Sequence, residues 1–253
     1  MTEILSQLDR RFDGGPFDII GDVHGCIREL LLLLDALGYE ISDNVARHAQ
    51  GRRLIFLGDL VDRGPDCPAV LELVMESVEK ETALCVPGNH DVKLVKKLKG
   101  RDVRISHGLA ETLAQLDLLD DLFKRRITAF VDSLPLHLIL DQGKLVVAHA
   151  GIKEKDQGRL TDRIAAFCLY GDVSGEMDEY GLPIRLNWAS DYSGDALVVY
   201  GHTPIRQSAF QNNTICIDNG CVFGGQLTAL RYPERELVSV PAARVYYESE
   251  RPL

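Results

Sequence analysis

Apolar residues along this chain fall in short runs, and each run is closed by a polar motif rich in glycine or proline. Phe17–Ile20 leads into GDVHG and Leu54–Leu57 into GDLVDRGP. Ala83–Val86 leads into PGNHD, Leu145–Ala148 into HAG, Leu197–Tyr200 into GHTP and Ile215–Ile217 into DNG. Short apolar runs stopped by turn residues predict buried strands. Helical patterns lie between the early runs: Arg28–Leu37 (RELLLLLDAL), Pro68–Val78 (PAVLELVMESV) and Leu109–Leu122. Pro68 suits a first helical turn. This alternation predicts an α/β, or α+β, layered fold. In such folds ligands gather at the carboxyl ends of strands, and every polar motif falls at one. No internal repeat or low-complexity linker is present. The expected organisation is one domain over residues 17–241, an N-terminal tail over 1–16 ending at Gly14-Gly15-Pro16, and a C-terminal tail over 242–253.

Composition narrows the class. With 253 residues, 45% of them hydrophobic and 26% charged, a folded, well-cored chain is expected. No stretch approaches 18 uninterrupted apolar residues, so no membrane-spanning helix is expected. The first residues, MTEILSQLDRRFDGG, lack the basic region and apolar core of a secretion signal, which points to the cytoplasm. The six cysteines (Cys26, Cys67, Cys85, Cys168, Cys216, Cys221) form no Cys-x-x-Cys pair and read as buried free thiols. The net charge of −10 disfavours polyanions globally. A nucleic-acid substrate therefore needs a local basic rim, for which Lys93, Lys96, Lys97, Lys99, Arg101 and Arg104 are candidates. A run of this kind at helical spacing is more commonly a solvated face.

The polar motifs carry the ingredients of a dinuclear metal site for phosphate esters: hard oxygen ligands and imidazoles around two cations, one carboxylate able to bridge them, and a water acidified between them. Asp22 and His24 are two apart in a glycine-flanked loop. Asp59 is the candidate bridging carboxylate, Asn89 offers an amide oxygen to the second ion, and His149 and His202 end two further strands. Arg63, four residues past Asp59, could fork onto phosphate oxygens. His90, next to Asn89, could protonate a leaving group with Asp62 orienting it. Singly, each has an ordinary reading as a turn, a core histidine or a surface ion pair. Six such groups in this order, each at a strand end, do not.

GDVHG, GDLVDRGP, GNHD, HAG and GHTP together resemble the calcineurin-like metallophosphoesterases, nearest the subgroup with serine/threonine protein phosphatases and bacterial dinucleoside tetraphosphatases. The resemblance implies two facing mixed β-sheets flanked by helices. It assigns metals to Asp22, His24, Asp59, Asn89, His149 and His202, and substrate contacts to Arg63, Asn89 and His90. A narrower likeness covers about residues 17 to 235. GNHDVKLVKKLKGRDVRISHGLAETLAQL, FCLYGDVSGEMDEYGLPIRLNWASDYSG and NNTICIDNGCVFGGQLTALRYPE are similar to the phosphatase module of bacterial polynucleotide kinase-phosphatase. That likeness implies Mn²⁺-dependent removal of 2′ or 3′ phosphates, action on 2′,3′-cyclic phosphates, and Asp218 as a further essential acid. The chain departs from it in having IDNG where IDTG is expected. It also lacks a G-x-x-x-x-G-K-[ST] loop, which fits an excised domain or a free-standing relative.

The expected function is thus a two-metal phosphoesterase acting on nucleic-acid or nucleotide ends, with Mn²⁺ as first choice and Fe or Zn as alternatives. Competing readings are a dinucleoside tetraphosphate hydrolase, a protein phosphatase on the same chemistry, and a metal-free binding module, which would lack ligands. Residues 153–195, with Tyr170, Tyr180, Arg185, Trp188 and Tyr192, are expected to shape the pocket. His48, His107 and His137 have no assigned role, although His107 lies in a segment shared with the repair enzyme.

Overall fold

The computed structural model describes residues 8–251; positions 1–7 and 252–253 of the two expected tails lie outside the described residues. In chain order the first half holds β1 (Phe17–Ile20), α1 (Ile27–Leu37), β2 (Tyr39–Ser42), β3 (Val45–His48), β4 (Arg53–Phe56), α2 (Cys67–Glu79), β5 (Ala83–Cys85), α3 (Asn89–Leu98), α4 (Leu109–Leu116) and α5 (Asp121–Ser133). The second half holds β6 (His137–Leu140), β7 (Leu145–Ala148), α6 (Asp162–Tyr170), β8 (Val173–Met177), β9 (Pro183–Arg185), β10 (Leu197–Tyr200), β11 (Phe210–Gln211), β12 (Thr214–Cys216), β13 (Asp218–Asn219), β14 (Gln226–Tyr232) and β15 (Glu236–Pro241).

Two mixed sheets face each other. One runs β13-β14-β1-β4-β5, with β15 added outside β14; the other runs β11-β12-β10-β7-β6. The central strands β1, β4 and β5 are mutually parallel, as are β7, β10 and β12. Their apolar runs are continuous because both faces of each strand are covered. Phe17 and Ile19 of β1, Ile55 of β4, Leu145 and Val147 of β7, and Leu197 and Val199 of β10 fill the core between the sheets. Their alternates take the outer faces. Ile20, Leu54 and Phe56 pack under α1–α5, whereas Val146, Ala148 and Val198 pack under α6 and Trp188. The resulting order is helix, sheet, sheet, helix.

The helix boundaries follow local chemistry. Asp66 caps α2 by accepting from the Ala69 N–H, with Pro68 in the first turn. Gly38, left-handed at φ 91°, closes α1. The helix expected over 109–122 stops at Leu116, because Asp120 caps a separate helix there by accepting from Phe123 N–H. All six cysteines are buried and unpaired. Leu8 is buried, and Arg10 N–H donates to Ile139 O, which docks the chain ahead of β1 onto the second sheet. Past β15, Tyr246 and Tyr247 donate their backbone N–H groups to Val222 O, and Glu29 accepts from Ala243 N–H and Tyr246 O–H.

One buried ion-pair network ties β1 to the start of β4 and the end of β14. Asp18 has no exposed surface and receives Arg52 Nε at 3.0 Å and a second guanidinium nitrogen at 2.9 Å. Arg52 also reaches Glu234, Phe17 O and Tyr232 O. Removing one partner strands a buried charge. Arg52→Ala should therefore lower unfolding free energy by about 3–5 kcal/mol in chemical denaturation. A loss below about 1 kcal/mol would show that Arg231, 3.2 Å from Asp18, suffices alone.

Candidate metal centre and active-site cleft

The carboxyl ends of β1, β4, β5, β7, β10 and β12 deliver their loops to one point between the sheets. Asp59 sits at its centre. Its Oδ2 lies 3.5 Å from His24 Nε2 and 3.5 Å from His149 Nε2, while Oδ1 accepts from the His90 N–H. Two potential metal-holding groups share it: His24, Asp59 and His90 on one side, and Asp59, His149 and His202 on the other. One carboxylate oxygen facing two sets of nitrogen donors is the arrangement a bridging ligand requires.

Hydrogen bonds behind the imidazoles fix which nitrogen faces inward. His24 Nδ1 donates to Val61 O at 2.6 Å, and His149 Nδ1 donates to Leu57 O at 2.9 Å. Each Nε2 is left with a lone pair aimed at Asp59. Asn89 Oδ1 and His202 Nδ1 each approach His149 Nε2 to 3.1 Å, so an amide oxygen and a second imidazole nitrogen converge on it. Asp22 Oδ2 accepts from His202 N–H, but its Oδ1 is buried without any partner. Asp218, also buried, accepts from Gly220 N–H and faces the same cluster. An orphaned carboxylate oxygen beside converging lone pairs is what divalent cations satisfy, so the donor set fits a metal pair.

The electrostatics agree. Burial, then Asp218 and Asp59, raise the Asp22 pKa well above normal. Burial pushes Asp59 up to about 7. Burial also holds His24 and His202 well below the ordinary imidazole range and His149 at about 4, so these rings are neutral ligands.

Backbone strain accompanies the cluster. His24, Asp59, Asp62, Arg63 and His202 all have φ between 44° and 73°, a region costing about 1–3 kcal/mol for each such residue. Close approach of two loops permits it. A Cβ on Gly58 would strike the Gly88 backbone, and one on Gly88 would strike Asp59. Asp91 cross-links the same loops by accepting from Gly88 and Leu60 N–H groups.

Arg63 stacks on the Phe223 ring, 5.1 Å from its centroid, and points two nitrogens at His24 Nε2 (2.7 Å) and His90 Nε2 (3.0 Å). His90 gives its Nδ1 proton to Asp62 at 2.6 Å, and Thr112 donates to the other Asp62 oxygen. Burial and Arg63 hold His90 well below its ordinary pKa. Arg63 therefore faces a neutral imidazole. Burial raises Asp62 to about 6.

These groups open onto a cleft of about 560 Å³. From the basic run, Lys93, Lys96 and Arg104 line it; Lys99 instead pairs with Asp132. From the 153–195 segment, Tyr170 and Arg185 line it, whereas Trp188 and Tyr192 belong to the outer core and Tyr180 is exposed. Arg185 is aimed inward by donating to His202 O and Thr203 Oγ1. His107 lines the cleft beside Glu250. His137 is buried, accepting from Gly158 N–H, and His48 packs on Tyr39. Thr112 and the 247–251 strap escaped the sequence reading, since neither carries a motif; Asp91 stood unused inside GNHD.

Comparisons with known proteins agree with this geometry. A family model described as calcineurin-like phosphoesterase matches residues 15–238. The chain is 50% identical over 234 residues to the asymmetrical bis(5′-nucleosyl)-tetraphosphatase PrpE of Anoxybacillus flavithermus, covering 91% of this chain and 96% of that one. It is 48% identical to the protein of the same name from Bacillus subtilis, covering 94% and 99%. A solved structure described provisionally as a diadenosine tetraphosphatase superposes with a TM-score of 0.65 at 26% identity, covering 93% and 97%. A Saccharomyces cerevisiae serine/threonine phosphatase shares the fold at TM-score 0.62 and 15% identity, covering 95% and 85%.

Metal loading should displace protons. Metals bind the ionised carboxylate, and with Asp59 near 7 a proton must leave at lower pH. The histidines, already neutral, release none. Calorimetric titration of Mn²⁺ into chelator-stripped protein, in buffers of different ionisation enthalpy, should show net proton release at pH 6.5 that fades by pH 8.5, with affinity rising across that window. Affinity independent of pH would contradict the assignment.

Proposed function

The chain belongs to the calcineurin-like phosphoesterase family, and from that we propose that it hydrolyses dinucleoside tetraphosphates asymmetrically, giving a nucleoside monophosphate and a triphosphate. The observation that carries the choice of substrate is the near full-length similarity to tetraphosphatases at 48–50% identity. It favours this substrate over nucleic-acid ends, the first expectation from sequence. The near full-length similarity to tetraphosphatases also speaks against the binding-module reading.

Members of the family use a binuclear divalent metal centre. In this chain we assign one ion to Asp22, His24, Asp59 and the neighbouring Asp218, and the other to Asp59, Asn89, His149 and His202. Mn²⁺ suits the mixture of carboxylate, amide and imidazole donors. The metal pair supplies an acidified water and positive charge at the phosphoryl oxygens. The protein does the rest. Arg63 swings from His24 and His90 to fork onto the non-bridging oxygens, where its planar donors match phosphate geometry. Withdrawal of Arg63 and arrival of a phosphate anion together favour an imidazolium at His90. Asp62, fixed by Thr112, holds the Nδ1 proton so that Nε2 points its own proton at the leaving oxygen. Asp59, common to both ligand groups, would hold both ions, and a neutral amide in its place would lack that charge.

Product analysis with Mn²⁺ should show diadenosine tetraphosphate split into AMP and ATP, abolished by chelator, and slowed by about 10²-fold or more in Asp59→Asn with the fold intact. Faster phosphate release from a 3′-phosphorylated oligoribonucleotide or a 2′,3′-cyclic nucleotide would return the reading to nucleic-acid ends. His90→Asn should slow alkyl phosphates by about 10²–10⁴-fold and p-nitrophenyl phosphate far less, since the latter's leaving group needs no acid. Equal losses on both would remove His90 from proton transfer.

A further inference from the structure

One wall of the cleft carries charge that the chemistry above leaves unused. Lys93 and Lys96 follow His90 along α3, and Arg104 stands beside them at the same cleft. Steps of three residues advance about 4.5 Å along a helix, so this wall leads outward from the metal cluster. The protein carries a net charge of −10, yet among the described residues no carboxylate pairs with Lys96 or Arg104. Lys99, in contrast, is neutralised by Asp132 away from the cleft. Lys93 is held in place: its ammonium donates to Ser106 O at 2.9 Å and to Ser106 Oγ at 3.1 Å. An ammonium has three donors, so one remains. Partial burial lowers the Lys93 pKa, and the charges of Arg63 and Arg104 add to that shift against the opposing pull of Asp62. Unpaired like charges on one wall repel, and a flexible polyanion laid across them relieves the repulsion. The acidic groups that line the cleft from the 247–251 strap are Glu250, engaged by His107 Nδ1 at 3.2 Å, and Glu248.

We infer that Lys93, Lys96 and Arg104 form a distal-phosphate subsite, a track for the phosphates of a polyphosphate chain beyond the one that is hydrolysed. The inference rests on the tetraphosphate reading for its natural substrate, though not for the existence of the track. A lone phosphomonoester engages only Arg63 and the metal ligands. A tetraphosphate with one terminal phosphorus at the metal cluster must place three more phosphates, and this wall is where cations await them. Seating three phosphates outward puts the cut next to one nucleoside, which makes the cleavage asymmetric.

The test uses the Mn²⁺-loaded full chain with metal in excess over every phosphate ligand. Turnover of p-nitrophenyl phosphate is inhibited by inorganic tripolyphosphate or by orthophosphate, in the wild type and in a Lys96→Ala/Arg104→Ala double variant. The inhibition constant of tripolyphosphate should rise by about 10-fold or more, while that of orthophosphate and the turnover of the small ester stay within about twofold. The KM for diadenosine tetraphosphate should rise in parallel with little change in kcat. An unchanged tripolyphosphate constant, or equal rises for both inhibitors, overturns the track. Weakened binding of a 3′-phosphorylated oligoribonucleotide with tripolyphosphate unaffected overturns it in favour of a nucleic-acid backbone contact. Should wild-type protein fail to split tetraphosphates, the substrate reading falls, and the tripolyphosphate comparison still decides the track.

Discussion

Three carboxylates, Asp22, Asp59 and Asp218, are buried together where the two sheets meet, and the rest of the structure depends on that. Buried charge of one sign is costly unless something of the opposite sign enters. Arg63 and Arg185 supply part of it from the cleft. The converging lone pairs of His24, His149, His202 and Asn89 cannot supply any. The family's divalent metal pair does; burial raises the Asp22 and Asp59 carboxyl pKa values, and one Asp22 oxygen has no hydrogen-bond partner in the protein.

The fold is organised to hold this arrangement. Parallel strands buried on both faces cannot shift register without exposing apolar surface, so the loops at their ends are anchored. Those loops then accept left-handed backbone at five site residues. Asp91, between Gly88 and Leu60, locks two of them, and the glycine pair 58 and 88 lets them touch. Behind the imidazoles, carbonyls of Val61 and Leu57 decide the tautomers. Each layer of support is a hydrogen bond or a steric allowance, and each is spent on orientation rather than on stability.

Around this centre the cleft is asymmetric. Arg63, on Phe223, and Arg185, on His202 O, are aimed at the metal cluster. The α3 wall carries further cations, and the strap of residues 247–251 also lines the cleft, tied to the β8–β9 hairpin through Arg251 and Asp178. The strap follows β15 and is held by Glu29 and Val222 O. Cleft shape thus depends on a segment far in sequence from every motif.

The layered fold, the strands that end in motifs, and the identity of the converging groups were all legible in the sequence. Continuous apolar runs and their Gly- or Pro-rich stops are local signals, and hard ligands at successive strand ends have no ordinary structural reason. The helix expected over 109–122 instead ends at Leu116, which is buried, and Asp120 caps a separate helix by accepting from the Phe123 N–H. Which members of the basic run matter was undecidable from spacing: Lys93, Lys96 and Lys99 share one helix region, and only packing against the cleft or against Asp132 separates them. The state of His90 was equally hidden, since it depends on Arg63 and Asp62 meeting it in space. Sequence determines what chemistry is available, because residue type sets donors and charges. Tertiary structure alone decides which of those groups face one another, because tautomer, charge state and access follow from neighbours that are distant along the chain.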